Sequence, residues 1–168
     1  MQKRRTSTRT LETERLLLRD WNETDIGRCS LYDENTIRYL LSAQNNYAVI
    51  LKNSGEIIGS IGLNEDGEHN EQRRNIGIVL LEQYWNKGIM SEALAATIHM
   101  AHEITPCLSY MHIVGDLRSK HIAEKFEFKY IKTICSEDGC EKFMYYILET
   151  GGTLAHDKSS FVELNCER

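Results

Sequence analysis

A mixed α/β (α+β) fold on one central sheet is predicted by three features of this chain. Hairpin patterns stand toward each end, strands and helices alternate between them, and 168 residues suit one domain with a substantial core. A doubly wound sheet is excluded, because the alternation is confined to the middle.

The elements follow in order. Leu11-Glu12-Thr13-Glu14-Arg15 leads into a short strand from Leu16 to Trp21. Asn22-Glu23-Thr24-Asp25 reads as a helix start, with small polar caps and acids in the first turn. A helical stretch to about Leu41, broken near Asp33, places Ile26, Leu31, Ile37, Leu40 and Leu41 as its apolar positions. Tyr47–Leu51 and Ile57–Leu63 are strands joined by the turn signal Asn53-Ser54-Gly55. Gly59 and Gly62 in the second of them predict a bulge or a close backbone approach. Asn64 to Arg74 is a charged loop. Ile76–Leu81 is a continuous apolar strand, and a long helix runs from about Gly88 to Ile104. Ala93, Leu94, Ile98, Ala101 and Ile104 share one face of it, and Thr105-Pro106 ends it. Tyr110–Val114 is a strand, Leu117 to about Phe126 a short helix, and Phe128–Cys135 and Phe143–Leu148 a hairpin around Asp138-Gly139. Phe161-Val162-Glu163-Leu164 is either a small extra strand or part of a disordered tail.

Composition narrows the function classes. The formal net charge is −5, and the first ten residues carry Lys3, Arg4, Arg5 and Arg9, so the rest is more acidic still. An acidic body argues against a nucleic-acid-binding core and leans toward cationic substrates. No apolar run approaches the ~20 residues of a membrane helix, and the basic N-terminus lacks the apolar stretch of a secretory signal. Residues 1–10 read as a basic disordered tail. The five cysteines are odd in number and form no C-x-x-C pair, which fits reduced cytoplasmic thiols and no metal site.

The stretch Leu80-Leu81-Glu82-Gln83-Tyr84-Trp85-Asn86-Lys87-Gly88 joins the apolar strand to the long helix. Such a turn aims free backbone N–H groups at one spot, where the helix dipole adds positive character. Gly88 lets an anion approach the backbone closely. Taken alone, the turn is equally an ordinary connector.

Four segments together resemble the GNAT superfamily of acyl-CoA N-acyltransferases, in particular the branch containing the ribosomal-protein N-terminal alanine acetyltransferases. They are Leu11 to Trp21, Gly55 to Leu63, Gln83 to Ala93, and Asp116-Leu117-Arg118-Ser119 to Glu124-Lys125-Phe126-Glu127-Phe128. The third resembles the family's pyrophosphate motif, Arg or Gln, two residues, Gly, one residue, then Gly or Ala. The match spans about residues 11–149, with 150–168 as a C-terminal extension.

The resemblance implies a central, mostly antiparallel mixed sheet flanked by helices, with the family's fourth and fifth strands splayed. It implies acetyl-CoA as co-substrate, with pantetheine along Val79, Leu80 and Leu81. The pyrophosphate would lie on Gln83, Tyr84, Trp85, Asn86, Lys87 and Gly88, and on the first helical residues Ile89 and Met90. Ser119, next to Asp116, takes the family's place for a proton donor to the leaving thiolate and also borders the cofactor.

The chain departs from the family at identifiable positions. Asn86 replaces the first motif glycine and tolerates left-handed backbone. Asp116 replaces an Asn, and its ordinary role is a helix N-cap. Ala123 stands where many members have a general-acid Tyr, which leaves Tyr145 or Tyr146 as substitutes. Asn75 stands where the branch often has a Glu and cannot act as a base. Glu127 replaces a small glycine, and His112 is an isolated strand histidine. Only Ser42-Ala43-Gln44-Asn45-Asn46 separates Leu41 from Tyr47, so the branch's second helix is missing. An open acceptor cleft results, or one closed by the C-terminal tail or by a partner in a homodimer.

The expected activity is acetyl transfer to a primary amine of a peptide, protein N-terminus, amino acid or small molecule, by direct attack on the thioester. With no base at 75, an α-amine of pKa near ~8 suits the chain better than a lysine near ~10. The acidic loop Glu65, Asp66, Glu68 and Glu71 reads as a solvated loop, the alternative being that it attracts the cation or relays its proton through water. The positions held by Asn75 and Ala123 keep a second reading open, an acyl-CoA-binding sensor or assembly module without catalysis.

Overall fold

Eight strands form one sheet in the order β1-β2-β3-β4-β5-β6-β8-β7. They are β1 (Thr10–Glu12), β2 (Leu16–Asp20), β3 (Asn46–Leu51), β4 (Ile57–Glu65), β5 (Arg73–Leu80), β6 (Cys107–Ile113), β7 (Lys129–Cys135) and β8 (Lys142–Glu149). Among the described residues three helices accompany them, α1 (Glu34–Ser42), α2 (Ile89–Ala101) and α3 (Leu117–Lys125). This arrangement is seen in a computed structural model that describes residues 9–67 and 73–150. The remaining readings, the residues of the basic tail up to 8, Glu68 and Glu71, and the strand-like Phe161–Leu164, lie outside the described residues.

The mixed, mostly antiparallel sheet is as expected: β5–β6 is its one parallel pair. Because β1 adds a short leading strand, the strands that the resemblance numbers fourth and fifth are β5 and β6. Their register runs from Arg73↔Cys107 to Ile76↔Tyr110 and stops there. Both strands continue, β5 to Leu80 against β4 and β6 to Ile113 against β8, so a wedge opens between them.

Alternation along the strands divides the sheet into two faces. On one, Leu16, Leu18, Tyr47, Val49, Ile58, Ile61, Ile76, Leu108 and Tyr110 pack with Ala93 and Leu94 of α2 and Ala123 of α3. On the other, a smaller core of Trp21, Cys29, Ile37, Ala48, Ile50 and Ile57 lies under α1. That second core covers only the β2–β4 part of the sheet. Farther on, the outward-pointing Val79, Met111 and Ile113 are 41%, 39% and 46% exposed.

The expected helix from Asn22 to Leu41 is replaced by two pieces. A 3₁₀ turn, Glu23–Asp25, is capped by Asn22, and α1 is capped by Asp33, whose side chain accepts from Thr36 N–H. Gly27, at φ 77°, ends the first piece, and Asp33 starts the second where the break is expected. Buried Asp25 accepts both guanidinium nitrogens of Arg19 at 2.8 Å, which ties the 3₁₀ turn to β2. The long helix ends at Ala101, earlier than Ile104, because Ile104 and Thr105 N–H fold back onto the Ala101 carbonyl. β6 therefore starts at Cys107, directly after Pro106. Between α1 and β3 no further helix intervenes.

Both expectations for the β4 glycines hold. The register jumps from Val49↔Gly59 to Ile50↔Ile57, leaving Ile58 as the extra residue of a bulge. A Cβ on Gly59 would sit 2.6 Å from the Val79 backbone oxygen. β4 and β5 therefore pair this closely only with glycine at 59. Gly59→Ala is expected to cost about 1–3 kcal/mol of folding stability, as overpacking against backbone does. Urea unfolding of wild type and variant measures it.

Candidate functional site

The wedge between β5 and β6 leads into a cleft of about 660 Å³, bounded by β5, the turn after it, the start of α2 and one face of α3. Leu81 N–H donates to the Ile58 carbonyl at 2.9 Å, so Leu81 is committed to β4. By the alternation of an antiparallel pair, the backbone groups of Ile78 and Leu80 point the other way, into the wedge. The Leu80 carbonyl takes the Trp85 indole N–H at 2.9 Å, which folds the turn back over the strand end.

The turn is shaped by backbone that few residues accept. Asn86 and Gly88 have φ of 58° and 71°, both left-handed. An asparagine manages this and a β-branched residue would not. Gly88 is the N-cap of α2 and supplies no side-chain cap, so the first N–H groups of that helix meet the cleft lined by Gly88, Ile89, Met90 and Ser91. Chain-distant residues brace this helix end. Glu92 accepts from Thr13 Oγ1 and, at 2.8 Å, from Arg15 N–H, and pairs with the Arg15 guanidinium at 2.6 Å. Arg15 also donates to the Lys87 carbonyl at 3.0 Å. The β1–β2 hairpin thus holds the turn from below.

Opposite lies α3. Asp116 is its N-cap and accepts from Arg118 N–H at 3.1 Å, Ser119 N–H at 3.2 Å and Ser119 Oγ at 2.7 Å. Burial opposes ionisation of Asp116, but the Ser119 hydroxyl and the two backbone N–H groups outweigh it, and its pKa falls below the ordinary value. Behind Ser119 stands Tyr110 of β6, 3% exposed. Burial pushes the Tyr110 pKa up, and the nearby Ser119 hydroxyl counters it in part. Arg118 stacks on Trp85, its Cζ 3.6 Å from the ring centroid, so the pair bridges the two walls of the cleft. Arg118, His121 and Lys125 line one wall and Asp116 is the acid among the lining residues, a cationic balance in a chain of net charge −5. A pyrophosphate fits such a place: left-handed turn, helix N-terminus and basic wall converge on it.

The sequence of this site-bearing chain matches the acetyltransferase (GNAT) domain family over residues 33–129. The chain belongs to the GNAT acetyltransferase family. Solved structures share its fold. An acetyltransferase (GNAT family) from Bacillus anthracis superposes with TM-score 0.73 at 20% identity, covering 84% of this chain and 99% of that one. A GCN5-related N-acetyltransferase from Brucella melitensis gives 0.69 at 15%, covering 84% and 79%. The acetyl transferase that modifies the N-terminal serine of 50S ribosomal subunit protein L7/L12 in Salmonella typhimurium gives 0.64 at 14%, covering 82% and 96%. No curated protein is similar enough in sequence to match.

Of the residues singled out from sequence, Val79, Leu80, Tyr84, Trp85, Asn86, Gly88, Ile89, Met90, Asp116 and Ser119 meet around the cleft. Leu81, Gln83 and Lys87 do not line it. Leu81 is turned to β4, Gln83 is exposed on the 3₁₀ turn Glu82–Tyr84, and Lys87 faces the Tyr84 ring at 5.5 Å. His112 is buried among Tyr110 and Tyr146, with Nδ1 2.8 Å from the Ile113 carbonyl. Tyr145 and Tyr146 point to opposite faces, Tyr146 to the α2–α3 core and Tyr145 to the outer face. Ala123 is wholly buried on the inner side of α3. Sequence reasoning missed Ile78, Tyr110, Arg118 and the Arg15–Glu92 tie. Alternation along β6 was the available signal for Tyr110, and nothing local announces a bond across 77 residues.

The Glu92 anchor makes acid stability testable. Burial raises the Glu92 pKa, but the bonds from Thr13 and Arg15 outweigh it, so the carboxylate titrates below its ordinary 4.5. A depressed carboxylate contributes stability above the unfolded-state pKa and loses it as pH falls through the folded value. Glu92→Gln is expected to lose about 1–3 kcal/mol at pH 7. The gap to wild type should narrow below about pH 4, measured by urea unfolding across pH.

Proposed function

We propose that this chain is an acetyl-CoA-dependent N-acetyltransferase that acts on a primary amine, with an α-amine of a peptide, protein N-terminus, amino acid or small molecule as acceptor. The observation that carries the proposal is the continuity of the cleft. The strand wedge, faced by the Ile78 backbone and the Leu80 N–H, runs without a break into the left-handed turn at the start of α2.

Each wall has work suited to it. The N–H groups from Asn86 to Ser91 receive the pyrophosphate, and the basic wall of α3 balances its charge. The Ile78 backbone groups and the Leu80 N–H of β5 pair with the pantetheine arm. An N–H of this strand polarises the thioester carbonyl, as an oxyanion hole does. The amine enters from the outer face, where Val79, Met111 and Ile113 are exposed. Its lone pair forms the C–N bond as the C–S bond breaks. Ser119 protonates the departing sulfur, with Asp116 fixing its orientation. An α-amine is partly neutral at pH 7, which suits a strand whose position 75 is an amide. The Salmonella relative named above modifies an N-terminal serine, a substrate of this class.

A binding-only role remains the second reading, favoured by Asn75, whose amide is bonded to Ser109 at 3.1 Å. Calorimetry with acetyl-CoA and thiol release with a panel of peptides, amino acids and alkylamines separates the two. Saturable binding with thiol release on an α-amine is expected. Binding without release from any amine would leave the sensor reading, and absence of saturable binding would sink both. Gly88→Val is expected to weaken acetyl-CoA binding about tenfold, since a β-branched residue at φ 71° costs roughly 1–2 kcal/mol.

A further inference from the structure

At the root of the wedge, the outer face of the sheet carries a row of polar side chains that the cleft does not use. Asn64 stands opposite Asn75, and Asn75 opposite Ser109. The Asn75 amide donates to Ser109 Oγ at 3.1 Å. Tyr145 of β8 continues the row. It is 1% exposed, and its hydroxyl donates to Asp66 Oδ2 at 2.6 Å. Arg73 and Ser109 lie close enough to this phenol to lower its pKa against the larger upward push of burial and Asp66. Asp66 follows β4 directly and is half-buried.

We propose that Asp66, held by Tyr145, is the carboxylate that takes the proton of the acceptor amine. The inference rests on the N-acetyltransferase reading above. Position 75 is an amide and cannot accept a proton, while Asp66 is a carboxylate hydrogen-bonded to Tyr145, which stands on the same outer face as Asn75 and Ser109. Burial and the bond to Asp66 push the Tyr145 phenol up to about 12, so Tyr145 stays a donor and serves as a positioning residue. Among the described residues, Arg73 of β5 and Lys132 of β7, the latter 5.8 Å from the Tyr145 ring centroid, lie beside the pair; Cys107 of β6 lies near Asp66, and Glu149 of β8 near Cys107.

The protons balance. One passes from the acceptor ammonium to Asp66, directly or through water, leaving a neutral amine and a carboxylic acid. The amine lone pair forms the C–N bond, and the C–S pair leaves on sulfur. The second proton shed by nitrogen equals the one that sulfur gains through Ser119. Asp66, being partly exposed, returns its proton to solvent.

The test is thiol release from acetyl-CoA with an alanine-initiated tetrapeptide, from about pH 6 to about pH 10, for wild type, D66N, D66E and Y145F. D66N keeps an oxygen for Tyr145 but cannot take a proton. Its kcat/KM for the peptide is expected to fall about a hundredfold at pH 7. It should recover as pH rises through the peptide's own α-amine pKa near ~8. D66E should restore the wild-type profile in part, and Y145F should shift it in the same direction by less. Acetyl-CoA affinity should stay unchanged in all of them. A D66N profile equal or parallel to that of wild type at every pH overturns the assignment of Asp66 and leaves the enzymatic reading intact. Wild type that binds acetyl-CoA but releases no thiol with the tetrapeptide, a free amino acid or an alkylamine overturns the enzymatic reading instead.

Discussion

The parting of β5 from β6 after Ile76–Tyr110 is the constraint on which the rest of this structure depends. Backbone N–H and C=O groups in a sheet interior must be paired, and opening a sheet in its middle exposes a row of them. The chain answers in part with its own side chains, for the Trp85 indole takes the Leu80 carbonyl. The remaining groups of the wedge line a cleft that continues into the turn. A sheet opened in this way is held in shape from both sides. β4 grips β5 through Gly59, where only a hydrogen atom fits, and β8 grips β6 along its whole length.

The turn after β5 shows how a local conformation is secured by distant contacts. Left-handed backbone at Asn86 and Gly88 is a strained or permissive choice that the two residues tolerate but do not enforce. Enforcement comes from Arg15 and Thr13, which reach Glu92 and the Lys87 carbonyl from the opposite end of the sequence. These bonds bury a carboxylate close to the helix N-terminus, where the dipole favours it. On the facing wall, Asp116 turns inward as an N-cap, so its charge is spent on α3 and on Ser119. The cationic side chains Arg118 and Lys125 are left to set the sign of the cleft.

The two faces of the sheet serve different ends. The inner face is a closed apolar core under α2 and α3. The outer face, past β4, exchanges apolar packing for amides, a hydroxyl and a phenol, with Gly77 leaving room for Asn64. No helix after α1 closes this side before β3 begins, consistent with the short connection seen in the sequence.

Much of this was written locally in the chain. Apolar strand runs, the turn signals at Gly55 and Gly139, the caps at Asn22, Asp33 and Asp116, and the strand-to-helix turn at Gln83–Gly88 are properties of short segments, and all appear where those segments stand. Segment order and motif spacing were enough to point to the GNAT acetyltransferase family, because the turn chemistry and its neighbours recur as a set. What only the tertiary structure decided are the relations between segments. Alternation cannot say which parity of β5 faces the wedge until the Leu81–Ile58 bond sets the register, and so Ile78 replaced Leu81. A helical stretch from Asn22 to Leu41 with a break near Asp33 is reasonable by periodicity, yet Gly27 and the Arg19–Asp25 pair cut its first part to a single 3₁₀ turn. Tyr110 behind Ser119, Arg118 on Trp85 and Tyr145 on Asp66 join residues whose sequence neighbours carry no trace of one another. Side-chain chemistry along a chain determines what each segment can become. Which groups meet is decided by packing and register, and the chemistry of this site depends on those meetings.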